Sequence, residues 1–392
     1  MRPARLVDAE LIDSVRHRIL AEPGPVTPAR IAAAVRESGR MLGTAGTLAA
    51  VEVIAAELSG LGPLQPLAKD PSVTDIFVNG PEEVWLDRGR GAERARVTFC
   101  SEEAVRSLAV RLVAAGGRRL DDSCPCVDVR IAGGYRVHAV LPPVSGGGTL
   151  ISVRIRREQV FSLDELEHAG TVLAQQRSVL EEISAQRLNY LVSGATGTGK
   201  TTLLSTLLGL AGPSERLVLV EDASELNPPH PHVVQLEARH RNVEGSGSVD
   251  LSELVRQALR MRPDRLIVGE CRGAEVRDLL AALNTGHSGA GTIHANSAPA
   301  VAARLVALGA LAGLSAEATA LQTASALAAV VHLERTSSGR RVATIAAVTE
   351  HAGTLRVEPA LVRGPVNDRL TRGPGWPALA AHLGEPSLAV AS

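Results

Sequence analysis

Ser193-Gly-Ala-Thr-Gly-Thr-Gly-Lys200-Thr201-Thr202 is the stretch on which the fold turns, and the runs on either side of it decide its meaning. From Gly194 to Thr201 it fits G-x-x-x-x-G-K-[ST]. In that pattern the backbone N–H groups of the loop, here Gly194, Ala195, Thr196, Gly197, Thr198 and Gly199, wrap the phosphates of a nucleotide. The ammonium of Lys200 reaches the β- and γ-phosphates, and the hydroxyl of Thr201, beside Thr202, binds Mg²⁺. Leu188-Asn-Tyr-Leu-Val192 before it reads as a buried strand, and Thr201 to Leu210 after it reads as a Leu-rich helix stopped by Gly212-Pro213. Strand, glycine-rich turn and helix follow in the order the chemistry requires. Only two of the 41 basic residues are lysines, Lys69 and Lys200, so a chain that otherwise writes arginine has kept lysine here. A planar guanidinium is too broad for that slot.

The 392 residues suffice for two or three domains, each with its own core. A formal charge of −1 supplies no global field toward nucleic acid or anionic lipid. The seven aromatics (Phe77, Trp85, Phe99, Tyr135, Phe161, Tyr190, Trp376) are few for a protein that stacks single strands, so no stable nucleic-acid binding is expected. Cys100, Cys124, Cys126 and Cys271 are too few and irregular for a disulfide framework and read as reduced thiols. The N-terminus lacks a signal-type apolar core, and the apolar Leu305–Leu333 stretch suits a buried helix better than a membrane span. The expectation is a cytoplasmic protein that docks on a membrane complex through partners.

Residues 1–60 read as a small helical appendage, and residues 61–158 as an α+β domain. In the latter, strands are expected at Asp75–Val78, Glu83–Leu86, Ala95–Phe99, Val127–Ile131, Arg136–Leu141 and Leu150–Ile155, with one helix opening at Glu102. After a linker at 159–163, strands and helices alternate in the βαβ manner of an open parallel sheet over 164–363, and 364–392 reads as a Gly/Pro-rich tail. The polar clusters of the third region, at Glu221-Asp222, Gly269-Glu270 and His294, fall at the carboxyl ends of strands, where such sheets bind ligands.

A phosphate loop needs carboxylates for metal and water. Glu270, after the strand Leu266–Val268, is the best placed by sequence to hold Mg²⁺ through water or to polarise the attacking water. Glu221 ends another strand and could aim at the same phosphates. His287 and His294 lie among glycines in GHSGAGTIHAN, where an imidazole could sense a phosphate. Pro228-Pro-His-Pro-His232 with His240 reads as a stiff loop rather than a metal site.

Taken in order, GATGTGKTT (194–202), LVEDASEL (219–226), ALRMRPDRLIVGECRG (258–273) and TGHSGAGTIHANS (285–297) resemble the secretion ATPases of the type II and type IV superfamily. The resemblance is strongest to the CpaF/TadA-like ATPases of tight-adherence pili. It implies a RecA-like P-loop NTPase domain with an N-terminal α+β (PAS-like) domain, ATP and Mg²⁺ as ligands, and a homo-oligomeric ring, usually a hexamer. Its partners would be inner-membrane pilus or secretion platform proteins. It also implies arginines of the N-terminal domain facing the phosphates, for which Arg130, Arg136 and Arg154 are the candidates, with Arg156 or Arg157 as alternates to Arg154. A nucleotide-binding scaffold with little turnover and a DNA-translocating motor of conjugation or uptake are the rival readings.

Overall fold

The computed structural model describes residues 9–21, 26–40, 42–89, 91–155, 160–239, 247–336, 339–365 and 368–384. Arg156, Arg157, Gln159 of the linker and His240 lie outside the described residues. The chain divides into two compact units, 1–158 and 159–392.

In the first unit, α1 (Ala9–Ala21), α2 (Pro28–Glu37) and α3 (Gly43–Ser59) bury Leu11, Val15, Ile31, Val35, Ala50 and Ile54 in a small core of their own. Thr27 caps α2 by accepting from Arg30 N, with Pro28 opening the helix. After α4 (Gln65–Lys69) come β1 (Asp75–Gly80), β2 (Glu83–Asp87), β3 (Ala92–Arg94), α5 (Glu102–Ala115), β4 (Cys126–Ile131), β5 (Tyr135–Val140) and β6 (Leu150–Ile155). They form an antiparallel sheet in the order β3-β2-β1-β6-β5-β4. Ser101 caps α5, whose Val105, Leu108, Leu112 and Val113 share a core with Val127, Val129, Val137, Ile151 and Val153. Strand alternation therefore sends Asp128, Arg130, Arg136, His138, Ser152 and Arg154 to the other face.

The strand expected at Ala95–Phe99 instead lies at Ala92–Arg94. Its apolar residues misled the pattern, because Phe99 is buried in the core and Val97 packs against it rather than pairing along an edge.

The second unit runs α6 (Leu163–His168), α7 (Ala174–Ala185), β7 (Tyr190–Gly194), α8 (Lys200–Leu208), β8 (Leu217–Glu221), β9 (Val233–Glu237), α9 (Leu251–Leu259) and β10 (Arg265–Cys271). It continues through α10 (Glu275–Asn284), β11 (Ser288–His294), α11 (Ala300–Leu311), α12 (Ala316–Ala326), β12 (Ala329–Thr336), β13 (Gly339–His351), β14 (Thr354–Arg363), β15 (Leu370–Arg372) and α13 (Trp376–Leu383). The sheet order is β15-β14-β13-β12-β7-β11-β10-β8-β9. From β12 to β9 the neighbours are parallel, and β13 to β15 add an antiparallel extension. Both faces are covered: Val192, Leu204, Leu219, Ile267 and Val331 belong to one core, Leu191, Val220, Leu280, Ile293 and Val330 to the other. This is the RecA-like arrangement, and the continuous apolar strands are what burial on two faces demands.

The region read as a tail contributes β15 and α13, with Leu379 and Leu383 in the core and Arg372 stacked 4.4 Å from the Trp376 ring. Its glycines and prolines hid one short amphipathic helix. Among the described residues no single helix is long and apolar enough to cross a membrane.

Candidate functional site

The strand β7 feeds directly into the glycine-rich loop. A Cβ on Gly194 would lie 2.6 Å from the Leu333 carbonyl of neighbouring β12, and Gly199 starts α8 in the left-handed region at φ 96°. Side chains at these positions would push the loop off the sheet or distort the helix start. The loop is thus seated against β12 and opens its N–H groups at the N-terminus of α8, an arrangement suited to an anion.

Lys200 folds back over this loop with only 7% exposure. Its ammonium donates to Gly194 O at 3.1 Å and Ala195 O at 3.0 Å and sits 3.4 Å from His294 Nδ1. Burial pushes its pKa down, against the pull of Glu270 and Glu225. A buried ammonium held by neutral carbonyls fits a phosphate far better than the apolar surroundings alone. The Thr201 hydroxyl, in the first turn of α8, has no hydrogen-bond partner among the described residues.

Glu270 reaches the same place through an irregularity. The pairing of β10 with β11 slips between Val268 and Cys271, which re-aims Glu270. Gly269 permits this because a Cβ there would meet Glu221 Cγ at 2.6 Å, and Thr292 Oγ1 donates to Gly269 O at 2.6 Å. Glu270 Oε1 then lies 2.8 Å from His294 Nε2, while Oε2 accepts from Arg272. A neutral His294 accepts from Lys200 through Nδ1 and places Nε2 in close polar contact with Glu270 Oε1, a buried oxygen that makes no hydrogen bond among the described residues. Burial, then the Lys200 charge, holds the His294 pKa below its ordinary value, in agreement with that form. Lys200, His294, Glu270 and Arg272 form one continuous polar chain across the ends of β7, β11 and β10.

Two expected residues stand differently. Glu221 is buried at the end of β8, and its Oε1 accepts from the amides of Glu225 and Leu226 at 2.8 and 2.9 Å. It braces the acidic loop and packs on Gly269. His287 is not brought to the cluster: it precedes β11, at the opposite end from His294, near Ala282 O at 3.3 Å and Thr285 Oγ1 at 3.4 Å. A seven-residue strand places roughly 20 Å between them. The glycine-rich segment that joined the two histidines in sequence is itself the extended strand that separates them.

On the first unit's sheet, Arg130 pairs with Arg136 and Arg136 with Arg154, so the three arginines form a row across β4, β5 and β6. Directly opposed residues share a face. Asp128 binds Arg136 at 2.7 Å and Asp75 binds Arg154 at 3.0 Å, and these groups line a shallow cavity of about 440 Å³ with Phe77 and His138.

Sequence reasoning missed Arg272, His332 and Arg340. Arg272 stands within ALRMRPDRLIVGECRG, where the local pattern assigns it no chemistry. His332, the single polar residue in VVHL, is buried with Nδ1 2.9 Å from Ser193 Oγ, and burial lowers its pKa. A histidine inside an apolar strand was the available signal. Arg340 donates to Gly197 O at 3.1 Å from a hairpin distant in sequence, which no local pattern reveals. His230 and His232 are engaged by Gly212 O and Arg216, as a structural loop would have them.

Mg²⁺ fits the donors present. Thr201 offers a hydroxyl oxygen in the first turn of α8, and Glu270 offers a carboxylate beside Lys200 and His294. That is the pattern for an ion bound by one or two protein oxygens together with substrate phosphates.

Residues 57–361 match the model of a family described as type II/IV secretion system protein. A Mycobacterium tuberculosis protein named "Putative conjugal transfer protein" is 49% identical over 324 residues, covering 81% of this chain and 92% of its own. The conjugal transfer protein TrbB of Rhizobium radiobacter is 32% identical over 281 residues, covering 70% and 83%. Among solved structures, the pilus retraction motor PilT with bound ADP superposes with a TM-score of 0.54 at 21% identity, covering 74% of this chain and 83% of that one, a likeness of fold.

Proposed function

The chain belongs to the type II/IV secretion system protein family and is a RecA-like ATPase, and from that premise we propose that it hydrolyses Mg²⁺-ATP in a homo-oligomeric ring, a hexamer, to drive a membrane-bound pilus or secretion apparatus. The observation that carries the chemistry is the chain from Lys200 through His294 to Glu270, set at the carboxyl ends of three neighbouring strands beside the phosphate loop. Bound Mg²⁺ would neutralise charge on the β- and γ-phosphate oxygens. Thr201 and Glu270 are the residues to hold it. Lys200 positions the phosphates, Glu270 orients and polarises the attacking water, and His294 couples the two by linking ammonium and carboxylate. Glu221 acts by fixing the acidic loop and Gly269, a positioning role.

The row Arg130, Arg136 and Arg154 is proposed to supply cations that stabilise charge on the transferring phosphoryl group, with Asp128 and Asp75 holding two of them ready. His287, remote from the cluster in its own subunit, is assigned no step. The domain scheme follows: helices of 1–60, an α+β domain to 158, a linker at 159–163 and the ATPase domain beyond. We place the protein at the cytoplasmic face of the inner membrane, held there by platform proteins.

A second reading has support from the relatives' names, two of which specify conjugal transfer. In it the same ring serves a transfer apparatus rather than a tight-adherence pilus. Steady-state phosphate release, followed as protein concentration takes the chain through ring assembly, tests the ATPase cycle. Turnover that ignores assembly would remove the ring from the mechanism. Salt-dependent DNA binding, absent in the pilus reading, would favour direct action on DNA.

A further inference from the structure

Arg340 lies on the other flank of the phosphate loop from Glu270 and His294. In the sheet, β11 and β10 stand on one side of β7 and β12 and β13 on the other, and Arg340 lies near the start of β13. Its Nε donates to Gly197 O at 3.1 Å, and its Cδ lies 3.3 Å from the position a Cβ on Gly199 would take. Among the described residues this is its one hydrogen bond, and it has no ion pair, although the chain holds 42 acidic residues. The next residue, Arg341, is by contrast nearly buried against Glu334 and the Gly364 carbonyl. The guanidinium Nη groups of Arg340 are therefore open, exposed and laid over a loop that already gathers N–H dipoles and a buried ammonium. Placing another cation there is unfavourable by itself and becomes favourable once a polyanion occupies the loop.

We propose that Arg340 is a nucleotide-binding residue that clamps the non-transferred phosphates, α and β, from the β12–β13 hairpin. The proposal rests on the ATPase reading above. Lys200, His294 and Glu270 mark the flank where the γ-phosphoryl reacts, so a cation on the opposite flank meets the part of the nucleotide common to ATP and ADP. Its contribution is uniform binding, which sets KM and leaves kcat alone.

Calorimetric binding of Mg²⁺-ATP and Mg²⁺-ADP to the full chain, wild type, Arg340→Ala, Arg340→Gln and Lys200→Ala, tests this over a salt series. Arg340→Ala and Arg340→Gln should each weaken ATP and ADP by the same factor, about three- to tenfold, and flatten the salt dependence, as loss of one exposed charge-assisted contact does. KM should rise by that factor while kcat moves less than about twofold. Gln can still donate to Gly197 O but carries no charge. If Arg340→Gln binds like wild type while Arg340→Ala is weakened, the residue only holds the loop, and the proposal is overturned. Wild-type affinity in both variants overturns it as well. If wild type binds no nucleotide, or Lys200→Ala binds as wild type does, the ATPase reading fails and the clamp falls with it. Unchanged melting of the nucleotide-free variants excludes misfolding as the cause of weaker binding.

Discussion

The two ends of the second unit's sheet use similar residues in opposite ways. At the amino end, Arg265 opens β10 and donates to Glu215 through Nε at 2.8 Å and Nη2 at 3.1 Å, while Nη2 also reaches Ser184 O at 3.0 Å. Glu215 further accepts from Gly212 N at 2.7 Å, and the Arg265 hydrogen bonds hold its pKa below the usual carboxylate range. Both groups are almost fully buried, each with several partners. At the carboxyl end, Lys200 is equally buried but rests on carbonyls of its own loop, and Glu270 is shared between a histidine and an exposed arginine. Saturated charge fixes a fold; charge held by replaceable partners is available for chemistry.

That contrast can be broken by substitution. Lys200→Ala should abolish phosphate release, by more than about a hundredfold, while leaving the melting transition close to wild type. Normal turnover would erase the functional end of the comparison. Arg265→Ala should do the reverse and destabilise the unit by about 3 kcal/mol, because the buried Glu215 loses its buried cation and keeps only the half-exposed Arg187 at 3.1 Å. Denaturant unfolding reads this, and a loss below about 1 kcal/mol would show that the amino end is not held as described. Glu270→Gln keeps the shape of the site, so ATP should bind with near wild-type affinity while turnover falls by about a hundredfold or more. Loss of binding instead would make Glu270 structural.

A smaller effect lies in pH. Burial lowers the pKa of His332 and of His294 below the ordinary value of 6.5 in the folded chain, so between the folded value and 6.5 the unfolded chain binds more protons. Stability is therefore full above that window and falls as pH drops through it. Urea unfolding from about pH 7.5 to 5 should show this decline, and His332→Gln should flatten it. An unchanged slope in the variant would assign the decline elsewhere.

Much of the carboxyl end was legible in the sequence because its constraints are local. The strand, loop and helix around Lys200, and Glu270 after an apolar run, announce themselves by spacing. The row of Arg130, Arg136 and Arg154 was readable as candidates but not as a row, since register is set by pairing between strands far apart in sequence. His287 misled for the converse reason: seven residues are near in sequence and far apart once extended. Arg340, and the partner of His332, were invisible because β12 returns beside β7, with β13 beyond it, after more than a hundred residues, and contact at that range leaves no periodic trace. The helix at Trp376–Leu383 was masked by the glycines and prolines around it, whose meaning depends on what packs against them.

The placement of Lys200 on the carbonyls of Gly194 and Ala195 has a bearing on the work cycle. In the ATPase cycle we propose, the chain passes repeatedly between loaded and emptied forms, and at each emptying its buried ammonium needs somewhere to go. The carbonyls of Gly194 and Ala195 give that charge partners within its own loop, so the ammonium can stay buried without the loop unravelling.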